Sequence, residues 1–96
     1  MANACYNIKK EYDMDCYIYD HVRTPRGRGK KDGKLHHITP VKLLSHVLKA
    51  LSQRTQIPTD KVDDVIVGCT APVADQGANI ARAAILMANY DQQAPG

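Results

Sequence analysis

The residues of this 96-residue chain best equipped for chemistry lie between Arg23 and Lys34. Six cations fall there, Arg23, Arg26, Arg28, Lys30, Lys31 and Lys34, with Asp32 as the single acid and Gly27, Gly29 and Gly33 threaded among them. Glycine lets backbone amides approach a phosphate closely, and cations neutralise it, so such a loop between a strand and a helix suggests a phosphate cradle. The spacing argues otherwise. Gly33 comes one residue late for a G-x-G-x-x-G turn after Gly27-x-Gly29. A P-loop would need glycine where Arg28 stands and a hydroxyl where Leu35 follows Lys34. Nucleic acid is a second partner class for so many cations. No Tyr, Phe or Trp is interleaved to stack on bases, and no helix-turn-helix or zinc-finger pattern occurs, so a solvated basic loop is the leading expectation.

Nucleophiles and metal ligands are sparse. Cys5, Cys16 and Cys69 are odd in number and irregular in spacing, which argues against a secreted disulfide framework. His36 and His37 have no partners at ligand spacing, so a metal site is not expected. Cys69 ends an apolar run where a thiol could be presented, but no cation or histidine lies near it in sequence to lower its pKa. His46, beside Ser45, and His21, beside Asp20, are expected to be structural.

The elements that must position these residues alternate. Residues 16–22 are almost continuously apolar or aromatic and read as a strand that stops at Pro25. Thr39 followed by Pro40 is a helix start, a hydroxyl cap and then a proline whose missing N–H costs nothing. Val41, Leu44, Val47, Leu48 and Leu51 then recur every three or four residues, and Pro58 places the helix end near residues 54–56. Residues 64–70 read as a second strand, and 79–89 as a second helix. In that helix Ala78, Ala81, Ala84 and Ala88 form a small-residue face, with Ile80, Ala83 and Met87 along its edge. The fold class is therefore α/β, a β-α-β-α succession with parallel strands. Residues 1–16 form an irregular lead-in in which 5–8 could hide a short strand.

Size and composition bound the rest. An apolar fraction of 44% is ordinary for one small globular domain, but with five Tyr, no Phe and no Trp the core must rest on Val, Ile, Leu and Ala. Two parallel strands make a poor sheet, so the chain reads as a piece of a larger α/β domain. The net charge is only +3, so the basicity belongs to one loop. No apolar run is long enough to span a bilayer or to form a signal-peptide core, and Glu11, Asp13 and Asp15 are unlike a mitochondrial transit peptide. A cytoplasmic setting is expected.

Four motifs in register carry a family resemblance over residues 17–96. Val22-Arg23-Thr24-Pro25-Arg26-Gly27 after a strand resembles the opening of thiolases. So do the Thr39-Pro40 helix start, Val62-Asp63-Asp64-Val65-Ile66-Val67-Gly68, and Gln76-Gly77-Ala78-Asn79-Ile80-Ala81-Arg82-Ala83, which is similar to the family's G-x-N-x-A-R-x-A helix. The basic loop looks like that of an acetyl-CoA acyltransferase branch. The resemblance implies a five-layer α/β/α/β/α fold of two similar halves, of which residues 17–96 are part of the first, in a homodimer or homotetramer. It implies exchange of acyl groups between 3-ketoacyl-CoA and CoA in fatty-acid metabolism (β-oxidation), with CoA thioesters as substrates and no cofactor or metal. The family works through a nucleophilic cysteine, an activating histidine and a second cysteine that moves the α-proton. The nucleophile follows the segment matching Ala94-Pro95-Gly96, and the other two lie in the second half. None of Cys5, Cys16 and Cys69 aligns with them, so this chain is expected to be inactive alone and to hold no catalytic residue. Arg23, Thr24, Pro25 and Gly27, with Cys69, Thr70, Gln76, Gly77, Asn79 and Arg82, are implied to lie near the subunit interface and to buttress the nucleophile's strand. The alternative is a small binding module whose loop 23–34 contacts nucleic acid or CoA phosphates; no membrane partner is expected, and nucleic acid is disfavoured.

Overall fold

A computed structural model describes residues 15–96. The short strand considered at 5–8, and all of the expected lead-in 1–16 except residues 15 and 16, lie outside the described residues. Two helices organise the fold. Helix α1 spans Pro40–Thr55, with the Thr39 side chain accepting from the Lys42 amide at 3.3 Å and Pro40 in the first turn, as the sequence predicts. It ends at Gln56, which takes a left-handed conformation (φ 54°) and returns its amide to the Ser52 carbonyl at 2.9 Å. Glycine is the usual occupant of such a cap, because a side chain there costs about 1–2 kcal/mol. The apolar stripe faces inward: Leu48 is buried, and Val41, Leu44, Val47 and Leu51 are half-buried. Ser45 is also buried, its hydroxyl donating to the Lys42 carbonyl at 2.8 Å.

Helix α2 is shorter than the sequence suggests, spanning Ile80–Met87. Asn79 is its cap, its side chain accepting from the Arg82 amide at 3.1 Å. Ala78 stands outside the helix, exposed and left-handed (φ 54°), so it does not join the small-residue face. Ala81, Ala84 and Ala88 do form that face and are buried. The expected edge is corrected as well. Ala83 and Met87 are exposed, and Ile85, 0% exposed, takes the central place. Ala84 and Ala88 let α2 approach Leu48 of α1 closely, and Val41, Leu44, Val65 and Tyr90 close the edges of that core.

Among the described residues the expected strands appear only as unpaired segments. Among the described residues no strand forms, and no backbone–backbone hydrogen bond engages residues 16–27 or 63–70. Residues 62–69 keep strand character in their burial: Val65, Val67 and Cys69 are half-buried, while Ile66 between them is 90% exposed. Segment 16–22 is held to the end of α1 by an ion pair, Arg54 Nε to Asp20 Oδ2 at 3.2 Å, and leaves Tyr19 85% exposed. The physical reason is that a ladder of two short parallel strands gains too few bonds and too little cover to form. Between these segments and α1 lies an open cleft of about 460 Å³, lined by Tyr17, Tyr19, Leu51, Val62, Val65 and Tyr90 among others. No helix among the described residues is long and apolar enough to cross a membrane.

Candidate functional site

The densest polar network joins the start of α2 to residues 90–96. Asn79 and Arg82 lie one helical turn apart, so both reach across the same end of the helix. The Arg82 guanidinium forks onto two backbone carbonyls, Nη1 to Ala94 O at 2.7 Å and Nη2 to Gln92 O at 2.9 Å. The Asn79 amide donates to Gly96 O at 2.8 Å. Three carbonyls in alternate positions are thereby fixed by two side chains. Arginine suits this task because its planar fork presents parallel donors and never loses its charge.

The same segment is tied down from below. The Asp91 amide donates to Thr59 Oγ1 at 3.0 Å, and the Ala94 amide to Asp91 O at 3.0 Å. Ala94 is 1% exposed. A Cβ on Gly96 would lie 3.0 Å from Ile85 Cδ1, so glycine lets the chain lie flat on α2. The Tyr90 hydroxyl donates to the Leu48 carbonyl at 2.8 Å and couples the segment to α1. Burial pushes the Tyr90 phenol above its ordinary value of 10.0.

The expected interface residues separate into three places. Asn79 and Arg82 belong to this clamp. Cys69 and Gln76 meet each other, the half-buried thiol donating to Gln76 Oε1 at 3.4 Å, with exposed Thr70 beside them. Gly77 closes the 3₁₀ turn Ala74–Gln76, its amide bonded to Ala74 O at 2.9 Å. Arg23, Pro25 and Gly27 are exposed and Thr24 half-buried in the first loop; no hydrogen bond joins them to the other two groups among the described residues. Among the described residues no cluster of His, Cys, Asp and Glu could hold a metal ion. Sequence reasoning missed Thr59, Tyr90 and Ile85. A signal existed for one of them, since Tyr90 is the single aromatic after Tyr19 and a lone phenol in an aliphatic core has to find an acceptor.

The thiolase N-terminal domain family matches residues 16–96. The chain belongs to the thiolase family. Over 82 residues it is 42% identical to a steroid 3-ketoacyl-CoA thiolase, FadA6, of Mycobacterium tuberculosis, covering 85% of this chain and 20% of that protein. It is 35% identical over 79 residues to a 3-ketoacyl-CoA thiolase of Klebsiella pneumoniae and 37% identical over 79 residues to one of Yersinia pestis, each alignment covering 81% of this chain and 20% of the relative. The chain thus spans about a fifth of the length of these curated thiolases. Membership places it in an α/β domain family, in keeping with the α/β expectation at that level.

Proposed function

We propose that this chain is the N-terminal portion of an acetyl-CoA C-acyltransferase, a thiolase that cleaves 3-ketoacyl-CoA with CoA to give acyl-CoA and acetyl-CoA. The observation that carries the reading is the family match over residues 16–96 together with the clamp that Asn79 and Arg82 place on residues 92–96. In thiolases the nucleophilic cysteine follows the segment corresponding to 94–96. The role of this chain is to aim that segment, and it carries no catalytic cysteine or histidine of its own. In the whole enzyme segments 16–22 and 64–70 pair as parallel strands of a β-α-β-α unit within a five-layer half-domain. The exposed face at Ile66 supports this, because the layers packed on the faces of such a sheet supply the missing cover. Homodimeric or tetrameric assembly, with the first loop and the Cys69–Gln76 pair near the subunit interface, and a cytoplasmic location belong to the same proposal.

A chimera provides the test. Residues 16–96 replace the corresponding first fifth of the Klebsiella 3-ketoacyl-CoA thiolase, and thiolysis of acetoacetyl-CoA by CoA is followed. The chimera is expected to turn over, and the 96-residue chain alone to give none. Turnover by the chain alone, or an inactive chimera that is nonetheless folded and oligomeric, would overturn the reading.

A further inference from the structure

The cations of the first loop are left unexplained by the clamp. Arg23, Arg26, Arg28, Lys30, Lys31 and Lys34 are all exposed, and among the described residues none makes an ion pair. The loop is nevertheless built. Its tip turns at Gly33, whose amide donates to Lys30 O at 2.6 Å and where a side chain would run into the Arg28 carbonyl. The two arms are joined by the Leu35 amide on Arg28 O at 3.1 Å and by the His36 ring, whose Nδ1 lies 3.0 Å from Gly29 O. Gly27 packs against Leu35, a Cβ there falling 2.8 Å from Leu35 Cγ. These bonds gather the cations onto one folded backbone loop, so an anion relieves their mutual repulsion without the loop backbone having first to be ordered.

We propose that residues 26–34 form a docking site for vicinal phosphates, such as a diphosphate or the diphosphate and 3′-phosphate of a CoA. The shape of the patch favours a small polyphosphate over nucleic acid. The cations sit on a short folded-back loop, with no helix to enter a groove and no Tyr, Phe or Trp to stack on bases. The contacts are made by side chains and not by a helix N-terminus, in agreement with glycine spacing that fits neither phosphate-loop pattern. The thiolase reading enters only in naming CoA as one source of the phosphates.

Calorimetric titration of the full chain with CoA, dephospho-CoA, inorganic diphosphate and a short DNA duplex, at low and moderate salt, tests the site. The variant Arg26→Ser, Arg28→Ser, Lys30→Ser, Lys31→Ser alters only exposed side chains; Lys42→Ser with Lys49→Ser, exposed on α1, is the charge control. CoA or diphosphate is expected to bind, to weaken as salt rises, and to lose at least about tenfold in affinity in the quadruple variant and little in the control. CoA binding more tightly than both other small ligands identifies the thioester carrier as the source; diphosphate equalling it identifies free polyphosphate. Circular dichroism confirms that the quadruple variant keeps α1 and α2. Undiminished binding by that folded variant, binding of neither ligand, or tighter binding of the duplex would each overturn the proposal. An active chimera, alongside a folded quadruple variant of the chain that binds diphosphate unchanged, sinks this inference alone. An inactive chimera whose loop still captures phosphates sinks the enzymatic reading alone.

Discussion

The segment after α2 and the segment before α1 are built on opposite terms. Residues 90–96 are short and have no regular structure, yet bonds donated by Asn79, Arg82 and Tyr90, and one accepted by Thr59 from the Asp91 amide, fix them against the helices. Residues 16–22 have the composition of a strand, but their polar tie to α1 is the Arg54–Asp20 ion pair, whose arginine is well exposed. A surface pair of that kind contributes at most about 1 kcal/mol. The difference teaches that order here follows the supply of partners. The last segment finds its partners on α1, α2 and the 3₁₀ turn Thr59–Lys61, whereas the would-be strands need neighbours that these residues do not provide.

The contrast can be broken most forcefully at the core beneath the clamp. Ile85→Ala should cost about 2–5 kcal/mol, because it opens a cavity at the contact between α1 and α2. Urea unfolding followed by helical circular dichroism measures it, and a loss under ~1 kcal/mol would mean the helices do not share a core. Next comes Arg82→Ala, which removes two charge-assisted bonds and should cost about 1.5–3 kcal/mol. Arg82→Lys should recover only part of this, since an ammonium cannot fork onto both carbonyls. Amide exchange at Ala94 reports the release directly, and protection equal to wild type in Arg82→Ala would show that the clamp is not what holds the segment.

Tyr90→Phe should cost about 1 kcal/mol through the lost bond to Leu48 O. It also sharpens the comparison by pH. The phenol's folded pKa is raised by burial, so its stabilisation is fully present below about pH 10 and declines as pH rises through the folded value. Melting temperature should therefore fall more steeply above about pH 10 in wild type than in Tyr90→Phe, and parallel curves would exclude the coupling. The smallest effect is expected at Ile66→Thr. In the chain alone it should change stability by under ~0.5 kcal/mol because the side chain is already in water. In the thiolase chimera, where the proposed five-layer packing would cover that face, it should cost about 1–2 kcal/mol. Equal effects in both would remove the argument for a missing cover.

Helix α1 is legible in the sequence because its signals are local: Thr39, Pro40 and the stripe through Leu48 act within a few turns of one another. Helix α2 is legible in kind but not in extent. The sequence pattern makes Asn79 its first residue when it is the cap, and the run of alanines draws attention from Ile85, whose burial depends on where α1 lies. The strands can be read from composition but their state cannot, since pairing depends on residues distant in sequence. Asn79 and Arg82 can be singled out through the family motif. Their task cannot, because the carbonyls of Gln92, Ala94 and Gly96 carry no side-chain signature.

The Tyr90–Leu48 bond closes a separation of 42 residues. During synthesis, α1 can wind as soon as it emerges, but the residues that cover Leu48, from Ala84 to Tyr90, come about 36–42 residues later. At translation rates of roughly 5–20 residues per second, the apolar stripe of α1 stays bare for about 2–8 s. That interval is long compared with helix formation or collapse. A nascent chain stalled before Tyr90 is therefore the form of this protein most exposed to chaperones and to aggregation.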